Sequence, residues 1–165
     1  MATPIYLFDT NAIIEAVRTG VWKGLAGALN LQTVEECADE SRRGDRLSTG
    51  YVVVSEADLE RFAMIHAVSD LEVANVLLME RAEALHDGER DLFAHALALA
   101  EEEVWVVCSP DLASVKFAVA AGIGDRLISL EEAMKAVGAK AKPELRGNFT
   151  SAWLKAERAN ALLGL

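Results

Sequence analysis

Ile5-Tyr6-Leu7-Phe8 is an unbroken apolar run that ends on Asp9, after which helical spacing takes over through Ile13, Ile14 and Val17. A run this short, with no polar alternation, is the pattern of a strand buried on both faces, and such strands belong to parallel sheets covered by helices. The pattern returns at Val104 to Cys108, followed by Pro110, Asp111 and a helical stretch to Ala121. Leu29 to Thr33 reads as another strand, before a polar helix from Val34 to Arg43 that stops at Gly44. Tyr51-Val52-Val53-Val54 has strand propensity, and Arg126-Leu127-Ile128 reads as a short edge strand. Helices are expected over Glu56 to Ala67, Asp70 to Ala84, Glu89 to Glu102 and Leu130 to Val137, with His86-Asp87-Gly88 breaking the chain. Strands alternating with helices predict an α/β fold of three layers, α/β/α, around a central parallel sheet. Lys140 to Gly147 reads as a linker, and Phe149 to Leu163 as an amphipathic helix carrying Trp153, Leu154 and Leu162. One domain is thus expected over residues 1–140, with residues 141–165 a linker and helix packed on it.

Composition narrows the class. Apolar residues make up 52% of the 165, enough for a core without disulfides. The net charge of −10 excludes a simple electrostatic clamp on nucleic acid, which would be basic. No apolar run is long enough to cross a membrane, and Met1-Ala2-Thr3-Pro4 does not read as a leader. Cys37 and Cys108 sit in apolar stretches without metal-like spacing, which suits a reduced, cytoplasmic protein.

The acids carry the functional signal. In parallel sheets ligands bind beyond the carboxyl ends of the strands, and Asp9 and Asp111 follow strands there. Each has an ordinary role as a helix N-cap. Glu89 and Asp91 fall in a first helical turn, where acids are normally stabilised, and Glu36 and Glu40 lie on a polar helix. Gathered at one sheet edge, carboxylates repel, by about 4 kcal/mol for a pair 4 Å apart at an effective dielectric of 20. A divalent cation removes that cost, and oxygen-only ligands suit Mg²⁺ or Mn²⁺.

Tyr6-Leu7-Phe8-Asp9-Thr10-Asn11-Ala12-Ile13-Ile14 resembles the opening of a PIN domain. The resemblance continues through Thr33 to Gly44, through Asp87-Gly88-Glu89-Arg90-Asp91-Leu92-Phe93-Ala94, and through Val106-Val107-Cys108-Ser109-Pro110-Asp111. It implies a Mg²⁺- or Mn²⁺-dependent ribonuclease, in many members the toxin of a bacterial toxin–antitoxin pair, so that RNA is the substrate and an antitoxin protein the partner. It also implies that Asp9, an acid of the second helix, Glu89 or Asp91, and Asp111 hold the metal, with Thr10 and Asn11 orienting Asp9. Ser109, where many relatives carry an acid, would support Asp111. In the second helix Glu40 is preferred to Glu36, because the family places an apolar residue three before its acid and Cys37 stands there. Between Glu89 and Asp91, two apart and so about 200° around the helix, the face shared with Leu92, Phe93, Ala96 and Ala100 favours Glu89 as the closer ligand. Asp91 would then act through water or support the helix terminus.

Several residues tempt without a firm role. His95 lies one turn from Asp91 and reads as a packing or hydrogen-bonding residue, while His66 and His86 have no partner at informative spacing. Trp22, Trp105 and Trp153 read as core or interface, and Lys116 and Arg126 as solvated surface. Val73, Val76 and Leu77, like Trp153, Leu154 and Leu162, put apolar side chains at helical spacing, so a homodimer is expected. A PIN-like module that only binds a partner is the second reading, favoured by the acidic surface. A phosphatase with an aspartate nucleophile ranks low, because Asn11 stands where its general acid belongs.

Overall fold

The computed structural model describes residues 2–44 and 52–165. Four strands, β1 (Ile5–Phe8), β2 (Asn30–Val34), β3 (Met64–His66) and β4 (Trp105–Cys108), form one sheet in the order β3-β2-β1-β4. Every pairing is parallel. The helices are α1 (Thr10–Arg18), α2 (Trp22–Ala28), α3 (Glu35–Arg43), α4 (Glu56–Leu59), α5 (Asp70–Leu77), α6 (Asp87–Ala98), α7 (Leu112–Ala120), α8 (Leu130–Val137) and α9 (Ser151–Leu162). The architecture is α/β with an all-parallel central sheet, compatible with three layers. No helix among the described residues is long and apolar enough to cross a membrane.

β1 is the inner strand with the strongest apolar run, and Leu7 and Phe8 are fully buried. Phe93 of α6 and Phe117 of α7 close the core with ring centroids 4.9 Å apart. Trp22 packs edge-on against Phe62 at 4.9 Å and donates its indole N–H to the Asp58 carbonyl at 2.9 Å.

Four expectations need correction. Tyr51 lies outside the described residues, and Val52 to Val54 form no strand. The strand is β3 instead, inside the stretch read as one helix over Glu56 to Ala67. Ser55 and Asp58 form a capping box that starts a helix of only four residues. Ala63 N–H then donates to the Leu31 carbonyl at 2.8 Å, which draws the chain alongside β2. Pairing, not local pattern, decides a segment this short. The helix read over Asp70 to Ala84 ends at Leu77, and Arg81 adopts the left-handed conformation at φ 71° before a single 3₁₀ turn. Arg126 to Ile128 is not a strand; Leu127 makes one parallel bridge to Val107 after a 3₁₀ turn. In addition, α6 starts at Asp87, two residues before Glu89, and stops at Ala98 rather than Glu102.

The expected linker is pinned. Glu15 of α1 is fully buried and paired with Arg18, and it accepts from the Arg146 backbone N–H at 3.2 Å and faces its guanidinium at 3.5 Å. Lys142 N–H donates to the Thr19 carbonyl at 3.0 Å, and Asn148 donates its side-chain amide to the Pro110 carbonyl at 3.0 Å. The faces expected to pair two copies are split: Val76 and Leu154 are buried within the chain, while Leu77 and Leu162 are exposed.

Away from the acids, His95 of α6 stacks on His66 of β3 at 3.9 Å. His66 Nε2 lies 2.7 Å from Gln32 Oε1, so it carries the proton, whereas His95 Nε2 is buried without a partner. Burial and the neighbouring His66 push His95 down to about 4, only partly offset by Glu72 of α5. Because the folded value lies below the ordinary 6.5, the unfolded chain binds the extra proton between those values, and folding loses stability there on acidification. His95→Gln should therefore gain stability relative to the wild type as pH falls from 6.5 to 4, by roughly 2–3 kcal/mol, in denaturant melts. A constant difference across that window would rule this out.

Candidate active site

β1 and β4 pair in register with Phe8 opposite Cys108, so Asp9 and Ser109 leave the sheet side by side. The Asp9 N–H donates to the Cys108 carbonyl at 3.1 Å. Asp9 turns from extended backbone into α1 as its N-cap, and its Oδ1 accepts from Ala12 N–H at 2.8 Å. Its Oδ2 accepts from the Ser109 hydroxyl at 2.6 Å, and Ser109 shares a second bond of 2.7 Å with Ser114. Asp9 is only 2% exposed. Burial pushes its carboxyl up to about 7; the bonds from Ser109 and Ala12 work against this, while the charges of Asp111 and Glu40 add to it.

Asp111 caps α7 through Oδ1, which accepts from Ala113 N–H at 2.8 Å. From α3, Glu40 reaches across to two other helices. Its Oε2 accepts from the Thr10 hydroxyl at 2.6 Å, and its Oε1 from Gly88 N–H at 3.2 Å. That approach explains the glycine between Asp87 and Glu89. A Cβ at Gly88 would lie 2.8 Å from Glu40 Oε2 and 3.2 Å from Cys37 Sγ. Glu89, in the first turn of α6, accepts at Oε2 from His86 N–H at 3.2 Å. Its carboxyl is pushed up to about 8 by burial first, then by the charges of Asp111 and Asp9.

Asp9, Thr10, Asn11, Glu40, His86 and Glu89 line one pocket of about 280 Å³. The structure thus brings Asp9, Glu40 and Glu89 together, with Asp111 near enough to act on both Asp9 and Glu89 by charge. Asp91 and Glu36 stand outside that lining. Asp91 Oδ1 is bound by Arg90 at 2.9 Å, and Glu36 faces Arg43 at 3.5 Å. Two supporting residues hold different partners from those expected. Thr10 holds Glu40 rather than Asp9, and Ser109 holds Asp9 rather than Asp111, because the strand register sets Ser109 opposite Asp9. Asn11 is exposed on the pocket rim. His86, set aside in the sequence for want of a partner at informative spacing, stands three residues before Glu89, which is the spacing of a capping box.

Carboxylate oxygens whose charge no neighbouring cation offsets are the donor chemistry that Mg²⁺ or Mn²⁺ takes. Glu89 Oε1 and Asp111 Oδ2 make no hydrogen bond among the described residues. As they stand, no three His, Cys, Asp or Glu side chains among the described residues are placed to hold one ion together. Against protein-family models, curated proteins and solved structures, the chain has no significant match.

Two outcomes follow from this geometry. Gly88→Ala should cost about 1–3 kcal/mol in thermal unfolding, because the new methyl displaces a carboxylate bonded on both oxygens. An unchanged melting temperature would mean that α3 and α6 can separate freely. Asp9→Asn should stabilise the metal-free fold at pH 8. The raised carboxyl favours folding below 3.8 and loses that advantage as pH rises through about 7. Melts in chelator at pH 8 should show a gain of roughly 2–4 kcal/mol that shrinks toward pH 4.

Proposed function

We propose that this chain is a PIN-like nuclease that hydrolyses RNA phosphodiester bonds, with Asp9, Glu40, Glu89 and Asp111 holding Mg²⁺ or Mn²⁺. The observation that carries the reading is a pocket at the strand ends lined by three carboxylates and by no lysine or arginine among the described residues. Elsewhere the chain does compensate a buried acid: Glu15 has two arginines. Buried carboxylates left without a counter-charge are costly, so a site that keeps them is a candidate for function.

A divalent cation, when bound, lowers the pKa of water and stabilises charge on phosphodiester oxygens. The chain's own part is placement. Ser109 and Ala12 fix both oxygens of Asp9. Thr10 and the α6 N-terminus fix Glu40. Glu89 and Asp111 each keep one oxygen without a hydrogen bond among the described residues. Asp91, tied to Arg90, steadies the first turn of α6 rather than facing the pocket.

In this reading the chain acts in the cytoplasm as the toxin of a toxin–antitoxin pair, as a homodimer held by an antitoxin protein. Leu71, Leu78, Leu162 and Leu163, each more than 70% exposed, offer apolar surface to such partners. The same surface favours a second reading, a PIN-like module that binds a protein and cleaves nothing. Titration with Mn²⁺ in a calorimeter separates the two: binding supports the nuclease, and none supports the module.

Single-stranded RNA should be cut with Mn²⁺ and spared with chelator. Glu89→Gln should lose about 100-fold or more in cleavage rate with its circular dichroism unchanged, because it removes charge and keeps shape. Asp91→Asn should lose no more than about tenfold. The reverse pattern would put Asp91, not Glu89, at the chemistry.

A further inference from the structure

Three of the six side chains lining the acid pocket are carboxylates, which draw a cation and repel a phosphodiester. A fourth, Thr10, gives its one hydroxyl proton to Glu40 at 2.6 Å. The donors left to meet an anion are the Asn11 amide and the His86 imidazole, both exposed. They stand on different elements, Asn11 in the first turn of α1 and His86 at the cap of α6. The His86 backbone is held on both sides. Its N–H donates to Glu89 Oε2 at 3.2 Å, and its carbonyl accepts from Arg90 N–H at 2.9 Å. The ring therefore hangs from a fixed point on the rim.

We propose that His86 is a positioning residue for the substrate, its imidazole N–H donating to a nonbridging oxygen of the scissile phosphodiester. The inference rests on the nuclease reading and adds to it the residue that receives the anionic group. No arginine or lysine among the described residues lines the pocket, so the contact falls to a side-chain N–H on its rim. Imidazole suits this, because it keeps one N–H in either tautomer.

A histidine that merely capped α6 would be replaceable by serine, a good cap too short to reach substrate. Cleavage of a single-stranded oligoribonucleotide with Mn²⁺ should therefore fall about ten- to a hundredfold in His86→Ser, chiefly through KM. His86→Gln, which retains a donor, should stay within about threefold of the wild type. The rise in melting temperature on adding Mn²⁺ should be the same in all three proteins. Full activity in His86→Ser would reduce His86 to a cap. Full activity in His86→Phe would make it a stacking surface, and loss of the Mn²⁺-induced rise in His86→Ser would make it part of the metal site; each overturns the proposal. The same comparison can be read as oligonucleotide binding by anisotropy in Ca²⁺. A wild type that neither binds nor cleaves removes both readings. A wild type whose cleavage Asp9→Asn abolishes, beside an undiminished His86→Ser, leaves the nuclease standing and removes this proposal alone.

Discussion

Burial of carboxyl groups at the end of a parallel sheet, with their mutual repulsion added to it, is the constraint around which the rest of this site is arranged. Burial and charge push Asp9 up to about 7 and Glu89 up to about 8. No lysine or arginine lines their pocket among the described residues, and hydrogen bonds hold them in place. Those bonds come from four parts of the chain: Ser109 after β4, Ala12 in α1, His86 before α6, and Thr10 with Gly88 on Glu40. Each satisfies an oxygen without neutralising it. The carboxyls are thus held in position by hydrogen bonds, and their raised values mark the cost of ionising them there.

Glu15 is the contrasting acid. It is as deeply buried as Asp9, yet Arg18 and Arg146 flank it and the Arg146 backbone donates to it. Its work is mechanical. It draws the segment after α8 back onto α1, and the same segment continues to Asn148, which grips the Pro110 carbonyl just before Asp111. A compensated acid thereby steadies the loop that carries an uncompensated one.

Glu40 links the two levels. Its carboxylate joins α1 through Thr10 and α6 through Gly88, and glycine at position 88 is the one residue type that lets α3 and α6 come so close. The alternation of apolar runs with helical stretches was readable in one dimension, and so were β1, β4 and their terminal acids. The α3 position of Glu40 needed a resemblance as well, because Glu36 has the same local character. The grouping of Asp9, Glu40 and Glu89 about one pocket adds what spacing along separate helices could not show.

Local chemistry written in the sequence determined the strands whose apolar runs bury both faces, the capping acids after them and the facing of Glu89 on α6. These are properties of a few consecutive residues. Tertiary structure alone decided β3, whose three residues become a strand only because β2 offers an open edge. It alone gave Ser109 to Asp9 and Thr10 to Glu40, since strand register and helix approach choose those partners. It also brought His86 to the pocket rim. Hydrogen bonding and charge act through space over a few ångströms, and which groups come that close is settled by packing of the whole chain rather than by any segment of it.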